Sequence, residues 1–372
     1  MPIIVTGILL TLYGVLAIYS VSIHKSFTLT LGWGDPTNYF YFLRHLKSIF
    51  IAIVAALVVY RIPISFFQKQ RNIVIITVIV FILQILVFVP GIGVEINGAR
   101  GWLDIPFLPS IQPSEFFKLG YVLFMSGWLI RKRKSIDSDN QLVFSFVIIN
   151  VISLLIFFFI PDLGSALVMG LTGSIMAIYA GMNRKKVVGI IFTGITGAII
   201  FGMIASKVST RFAYIQQRMT YFISSPNDED KRGIGWQNEQ ALAAIGGGGF
   251  WGKGYGKGLQ KFGYLPEAQS DFVFAAFSEE MGFIGNITLL ALYFYLTYYV
   301  LTKLVYVRDE YSKMIAIGLL SLIITQAFIN IGVNLKILPN TGLTLPFISH
   351  GGTAIMTNII SLIILYKIIK NR

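Results

Sequence analysis

Four carboxylates lie close together in the stretch 262–285, where a long polar segment meets a hydrophobic run. They are Glu267, Asp271, Glu279 and Glu280. A carboxylate at a membrane boundary is costly unless it binds or pairs with another group, so such residues indicate a functional site by default. The sequence therefore predicts that chemistry is concentrated in this stretch.

Asp271 has the setting of a general base. We expect a helix to begin near it with Ser270 as the N-terminal cap, and the positive helix end then favours the ionised carboxylate. Three nearby phenylalanines would remove water from the carboxylate, which opposes ionisation. A partly desolvated carboxylate at the water boundary is suited to taking a proton from a hydroxyl group. Glu279 and Glu280, two turns deeper, are expected to pair structurally within a helix bundle.

Charged residues near the starts of two other apolar runs could bind an anion. Glu115 and Lys118 are three residues apart after Pro113, so they share a helix face. They form either a structural ion pair or the wall of a polar cavity that binds a charged ligand or a metal. Arg44 and Lys47 either extend to lipid head groups or clamp a diphosphate, since the guanidinium group of arginine matches phosphate oxygens.

Two further motifs contain charged residues, one at the membrane interface and one at a helix start. In GARGWL, Arg100 and Trp102 place a cation and an aromatic ring at the interface. Asp162 follows a proline at a helix start and is expected to serve as an N-terminal cap.

The glycine-rich segment GGGGFWGKGYGKG at 246–258 is not a nucleotide-binding loop. It lacks the Gly-Lys-Ser/Thr ending, and no strand is predicted before it. It is either a tightly turned loop, or a site where backbone N–H groups and Lys253, Lys257 and Lys261 face an anionic ligand.

Several kinds of chemistry are excluded by the residues present. The chain has no cysteine, so disulfides and thiolate chemistry are absent. His24, His45 and His350 are scattered and do not have the spacing of zinc ligands. The G-x-S-x-G motif of a serine nucleophile is also missing.

The elements that position these residues are membrane helices. Of the 372 residues, 55% are hydrophobic and 13% are charged, and apolar runs of about 18 or more residues recur. We predict an all-α polytopic membrane protein, a single domain over 1–372 with ten transmembrane helices. The predicted spans are 3–23, 42–60, 72–90, 113–131, 142–160, 164–181, 187–206, 271–302, 314–334 and 351–370.

The net charge of +13 is explained by membrane topology. The loops after the even-numbered spans and the C-terminal end hold sixteen Lys and Arg against four Asp and Glu, so they are cytoplasmic. Both termini are then cytoplasmic, and nucleic-acid binding is not expected. The long segment 207–270, between the seventh and eighth helices, is extracellular, and its part 211–222 has the pattern of a helix lying on the membrane surface.

The chain resembles the SEDS family (shape, elongation, division and sporulation), whose members include FtsW, RodA and SpoVE. The resemblance covers nearly the whole chain. It is carried by GARGWL, QPSEFFKL, PDLGSALV, GWQNEQALAAIGGGGFWGKG, LPEAQSDFVFAAFSEEMGFIG and LPNTGLTLPFISHGGTA. Within the family, YSVS, NYFYFLRHL and GLTLPF favour the division member over the elongation member.

The resemblance implies a peptidoglycan glycosyltransferase that polymerises lipid II at the outer face of the bacterial cytoplasmic membrane. Asp271, in the motif LPEAQSDF, would deprotonate the acceptor 4-hydroxyl, and undecaprenyl diphosphate would leave. Cationic groups should stabilise this leaving group. The candidate substrate-binding residues are Arg44, Arg100, Trp102, Glu115, Lys118, Lys253, Lys257, Glu267 and Ser349.

The sequence requires no cofactor, although a divalent cation (Mg²⁺ or Mn²⁺) would also suit the leaving group, with Glu267 as a candidate ligand. Two departures from the family pattern weaken the residue-level assignments. Gly101 stands where a second arginine is expected, and His350 where a tyrosine is expected.

The expected partners are a cognate class B penicillin-binding protein, which cross-links the strands, and other membrane proteins of the division or elongation machinery. A lipid II flippase is the alternative function, and an inactive scaffold is a third. The few charges predicted deep in the spans disfavour a path through the bilayer, and no internal repeat supports a transporter.

Overall fold

The computed structural model of the chain describes residues 1–96, 99–104, 110–160, 162–205 and 234–371. Helices dominate that part of the chain, with one two-stranded hairpin. The elements are α1 (Pro2–Val21), α2 (Ile23–Leu31), α3 (Phe40–Arg61), α4 (Ile64–Gln68), α5 (Gln70–Leu86), β1 (Gly93–Ile96), β2 (Ala99–Leu103), α6 (Pro113–Lys132), α7 (Asn140–Phe159), α8 (Leu163–Tyr179), α9 (Arg184–Ala205), α10 (Ile234–Gly248), α11 (Val273–Leu304), α12 (Glu310–Asn334) and α13 (Gly352–Lys370).

Each of the ten predicted spans coincides with one of these helices, which confirms a helical polytopic membrane fold. In the part of the chain that the structure describes, six helices are long and apolar enough to cross a membrane: α1, α3, α7, α11, α12 and α13. The helices α5 and α8 are apolar but shorter. Ten crossings, the side of each terminus and an extracellular 207–270 stay predictions. The predicted surface helix at 211–222 lies outside the described residues.

The hairpin of β1 and β2 is an element that the prediction did not include. The strands pair antiparallel, with Gly93 opposite Leu103 and Val94 opposite Trp102. Leu103 also bridges to Ile111, just before α6 begins at Pro113. The segment between the third and fourth spans is thus tied back on itself.

By contact clustering the chain divides into two compact units. The first lies within Met1–Ala56, Gln217–Tyr299 and Gln326–Ile360, and the second within Leu57–Gln216, Val300–Thr325 and Ser361–Arg372. In the second unit α6 packs against α5 and α8. The Tyr121 hydroxyl donates to Asn150 Oδ1 at 2.6 Å, and Gly173 leaves the space that this hydroxyl occupies.

In the first unit, helix α11 is broken by its own backbone. Gly282 has φ 65° and ψ −165°, which interrupts the helix one-third of the way along. The break leaves backbone groups without helical partners, and such groups must be satisfied by other protein atoms at membrane depth.

The glycine-rich segment supplies those partners. The N–H of Lys253 donates to the Glu279 carbonyl at 2.9 Å, and the N–H of Phe283 donates to the Gly249 carbonyl at 2.9 Å. A Cβ at Gly252 would lie 2.0 Å from the Glu280 carbonyl oxygen, so the two backbones approach too closely for a side chain. The segment is therefore a tightly turned loop, and an anionic ligand at its lysines stays a prediction.

Candidate functional site

Asp271 is half-buried in a turn two residues before α11 begins. The helix thus begins two residues after the position given by the predicted span. Ser270 does not cap the helix, because its hydroxyl donates to Glu267 Oε2 at 3.1 Å.

The reason for the late start is a pair of asparagines on the last turns of α12. The amides of Asn330 and Asn334 each donate to the carbonyl oxygen of Asp271, at 2.9 and 3.0 Å. The N–H of Ala275, which would bond to that carbonyl in a continuous helix, donates to Asn334 Oδ1 at 3.0 Å. Both asparagines are fully buried, at 1% and 0% exposure.

The two carbonyls before Asp271 are also bonded to the segment between α12 and α13. The His350 N–H donates to the Gln269 carbonyl at 2.9 Å. The Ser349 hydroxyl donates to the Ser270 carbonyl at 2.6 Å and accepts from the Leu345 N–H at 2.7 Å. Three successive carbonyls, at 269, 270 and 271, are thus held, and the backbone that carries Asp271 is fixed.

These contacts bear on one predicted residue and on two that were not predicted. Ser349 was expected to bind substrate, but it is buried and its hydroxyl bonds inside the protein. A direct substrate contact from it stays a prediction. Sequence reasoning missed Asn330 and Asn334, although two amides four residues apart in an apolar helix are a signal, since buried polar groups need partners.

Gly342 lies beside the Asp271 carboxylate. Its φ of 72° is in the left-handed region that favours glycine, and an added Cβ would lie 3.7 Å from Asp271 Oδ2. Its N–H donates to Asn340 Oδ1 at 3.1 Å, which stabilises the turn. The GLTLPF segment therefore approaches the carboxylate through backbone atoms.

Glu267 is held close to the turn that carries Asp271. Its carboxylate accepts from Ser270 Oγ and from Gln269 Nε2, both at 3.1 Å, and it pairs with Lys25 Nζ at 3.6 Å. Its backbone φ is 51°, which is uncommon for a residue other than glycine. Among the residues that the structure describes, no group of three or more His, Asp or Glu is placed to hold a metal ion.

Glu279 and Glu280 form the structural pairs that were predicted. Glu279 Oε1 lies 2.6 Å from Lys253 Nζ, and Glu280 Oε1 lies 2.6 Å from Lys261 Nζ. Ser20 donates to Glu280 at 2.7 Å. The Glu280–Lys261 pair is almost completely buried, at 0% and 1% side-chain exposure.

The cations of the first unit thus fall into two groups. Lys253 and Lys261 already bond to carboxylates of α11, and the backbone N–H of Gly256 also donates to Glu280. Lys257 and Arg44 are exposed. Among the candidate substrate-binding cations of this unit, Arg44 and Lys257 are therefore the better placed to meet an anionic ligand. Lys47 beside Arg44 is exposed as well, and a substrate contact from Lys253 stays a prediction.

Arg44 acts electrostatically on His350, which lies in the segment that supports Asp271. Burial first, and then the Arg44 guanidinium, lower the pKa of His350 to about 4. The imidazole is therefore neutral at neutral pH. It lies 5.8 Å from the ring of His45, which is fully buried.

The second unit contains the other predicted residues. Lys118 Nζ and Glu115 Oε1 form an ion pair at 2.8 Å, and both side chains are buried, as their spacing predicted. Asp162 accepts from the Ser165 N–H at 2.9 Å, which confirms the helix cap. Burial raises the pKa of Asp162, while the bonds from Ser165 and the charge of Lys118 oppose that rise.

Trp102 and Arg100 both lie on β2. Trp102 is half-buried. The side chain of Arg100 lies outside the described part of the structure, so its substrate contact stays a prediction.

The sequence matches the family of cell cycle proteins FtsW, RodA and SpoVE over residues 1–372. The chain belongs to this family. The match extends to all the segments that carried the SEDS resemblance, including the aspartate motif and the glycine-rich segment.

Named relatives cover most of the chain. Stage V sporulation protein E of Bacillus subtilis is 35% identical over 356 residues, which are 95% of this chain and 92% of the relative. A probable peptidoglycan glycosyltransferase FtsW of Alcanivorax borkumensis is 32% identical over 362 residues, or 95% of this chain and 89% of the relative. The FtsW name among the relatives agrees with the segments that favoured the division member.

Solved structures have the same fold. A chain of a peptidoglycan synthase complex that coordinates polymerization and crosslinking superposes with a TM-score of 0.71 at 22% identity, covering 97% of both chains. The rod shape determining protein RodA of Thermus thermophilus gives a TM-score of 0.66 at 20% identity, covering 100% of this chain and 96% of RodA. At these identities the likeness shows the fold of this SEDS chain.

Proposed function

We propose that this chain is a peptidoglycan glycosyltransferase that polymerises lipid II into glycan strands at the outer face of the bacterial cytoplasmic membrane. The observation that carries the proposal is the setting of Asp271. Its backbone is fixed by the bonds to the carbonyls of 269, 270 and 271, while the residue itself is only half-buried. A general base needs both a fixed position and access to the hydroxyl group.

In the proposed reaction, Asp271 takes the proton of the acceptor 4-hydroxyl as the oxygen attacks the anomeric carbon of the donor. The new glycosidic bond forms while the bond between that carbon and the diphosphate oxygen breaks. Undecaprenyl diphosphate leaves with the bonding electron pair. The carboxylic acid then returns its proton to water.

The leaving group is anionic, so cations that contact it stabilise the transition state. In the unit of Asp271 the exposed Arg44 and Lys257 are the candidates. From the second unit we retain Arg100, Trp102, and the pair of Glu115 and Lys118 as candidate substrate contacts. A divalent cation would take most of its ligands from the diphosphate and from water, with Glu267 as a protein candidate, and we assign it no step.

We also propose a class B penicillin-binding protein, which cross-links the strands, as the partner. A chain of similar fold comes from a complex that couples polymerization to crosslinking, which supports this proposal.

The test compares wild type with Asp271→Asn and Asp271→Ala, each as the full chain in liposomes with its transpeptidase partner and labelled lipid II. We expect long glycan strands from wild type, and rates lower by about 10²- to 10⁴-fold for both variants, the usual contribution of a general base. Asp35→Asn is the matched control, since it removes one exposed carboxylate of the same unit.

Two other outcomes are informative. Wild-type rates from Asp271→Asn would show that this residue is not the base. Movement of fluorescent lipid II between leaflets, without any polymer from wild type, would favour the flippase alternative.

A further inference from the structure

The amide of Asn334 occupies a place that a backbone hydrogen bond would otherwise fill. In an α-helix the N–H of Ala275 would donate directly to the carbonyl of Asp271. Here the Ala275 N–H donates to Asn334 Oδ1 at 3.0 Å, and Asn334 Nδ2 donates to the Asp271 carbonyl at 3.0 Å. The side-chain amide is thus inserted into the first turn and keeps Asp271 outside α11.

Every donor of the two asparagine amides is used. The second hydrogen of Asn334 Nδ2 goes to the Asn330 carbonyl at 2.9 Å. Asn330 Nδ2 donates to the carbonyls of Asp271, at 2.9 Å, and Leu343, at 2.6 Å. Because all these carbonyls can only accept, the amides have one consistent orientation. The Asp271 carbonyl is fixed between α12 and the segment that follows it.

Stability alone does not account for this arrangement. An apolar residue at 334 would let Ala275 bond directly to Asp271, and no polar side chain would need to be buried. The inserted amide therefore specifies where Asp271 lies rather than whether α11 forms. Position matters here, because a displacement of about 1 Å in a reacting group can lower a rate by about 10²-fold.

We propose that Asn334, supported by Asn330, is a positioning residue that holds Asp271 outside α11 so that its carboxylate meets the acceptor hydroxyl. This proposal rests on the proposed function of Asp271 as the base. Asn334 acts through the Asp271 backbone.

The test is Asn334→Ala in the full chain, assayed as above with saturating and limiting lipid II. The Ala275 N–H should then pair with the Asp271 carbonyl, and α11 should begin earlier. We expect kcat to fall by about 10²-fold while KM changes less than about twofold. The acidic limb of the pH–rate profile should move to lower pH, because the first helical turn stabilises an ionised carboxylate. A purely structural role would lower the rate only through the folded fraction and would leave this limb in place.

Gln326→Ala is the matched control. Gln326 is a buried amide on the same helix, and it donates to the carbonyl of Thr344 at 3.0 Å and to its hydroxyl at 3.2 Å. Its loss removes hydrogen bonds to the same following segment and leaves both asparagine amides in place. We expect its kcat and pH profile to stay within about twofold of wild type.

Asn330→Ala gives a second, milder variant in case Asn334→Ala does not fold. It removes one of the two bonds to the Asp271 carbonyl and leaves the inserted amide, so kcat should fall by about tenfold. Wild-type kcat and pH profile in the folded asparagine variants, with an inactive Asp271→Asn, would overturn the positioning proposal and leave the proposed function intact. An active Asp271→Asn would overturn both.

Discussion

At the scale of residues, the role of a charged side chain could be predicted from the sequence, whereas the role of a neutral side chain that bonds to backbone could not. Asp271 could be singled out because a carboxylate at a membrane boundary is costly and its motif is specific. The asparagines that fix it could not be assigned, because residues 330 and 334 are about sixty positions away in sequence and their partner is a backbone carbonyl. A carbonyl is present at every residue, so the sequence contains no mark of which one is bonded.

The Glu280–Lys261 pair supports a prediction at this scale. Lys261→Met would leave the carboxylate of Glu280 buried without its cation, which costs about 3–5 kcal/mol. We therefore expect a markedly lower melting temperature for the detergent-solubilised variant.

The double variant Lys261→Met with Glu280→Gln serves as the control, since it removes both charges and should regain most of the lost stability. Equal melting temperatures for wild type and the single variant would show that the pair does not contribute. Asp271 is in a different turn, so the double variant should retain polymerase activity.

At the scale of elements, apolar run length predicts helices well and their interruptions poorly. All ten predicted spans have a helix because about 18 apolar residues have few alternatives in a bilayer. The break at Gly282 was not predicted, since a single glycine is compatible with an intact helix. The break depends on the glycine-rich segment, whose N–H and carbonyl groups replace the missing helical bonds.

This pairing predicts that Gly252 cannot be replaced. In Gly252→Ala the methyl group would lie 2.0 Å from the Glu280 carbonyl, and the residue would keep a φ of 81°. The left-handed conformation alone costs about 1–2 kcal/mol, and the clash adds to it. We expect the segment to lose its pairing with α11, which limited proteolysis would detect as new cleavage between residues 249 and 261.

Gly246→Ala is the control for that experiment. Gly246 lies in α10, and an added Cβ meets no atom within 4 Å. It should therefore be tolerated, with the proteolytic pattern of wild type. Equal behaviour of the two variants would contradict a close backbone contact at Gly252.

At the scale of the whole molecule, the distribution of basic residues predicts which loops face the cytoplasm. That prediction depends on the number of crossings, and in the described part of the chain α8 and α9 are two of the four predicted spans that the length and hydropathy criteria leave out. At 17 residues, α8 is about 25 Å long, slightly less than the roughly 30 Å hydrocarbon core. The helix α9 is not one of the six that satisfy the length and hydropathy criteria.

Single-cysteine labelling can test these crossings, because the chain has no cysteine of its own. Three predicted spans separate the exposed Lys134 from the exposed Lys257, and an odd number of crossings puts them on opposite sides. In right-side-out vesicles, a membrane-impermeant maleimide should label Lys257→Cys directly. Lys134→Cys and Lys185→Cys should be labelled only after permeabilisation, since two crossings by α7 and α8 return the chain to the cytoplasmic side. Direct labelling of Lys185→Cys would show that α8 does not span. The two remaining crossings, an even number, would then put Lys257 on the same side as Lys134, opposite to the proposed one.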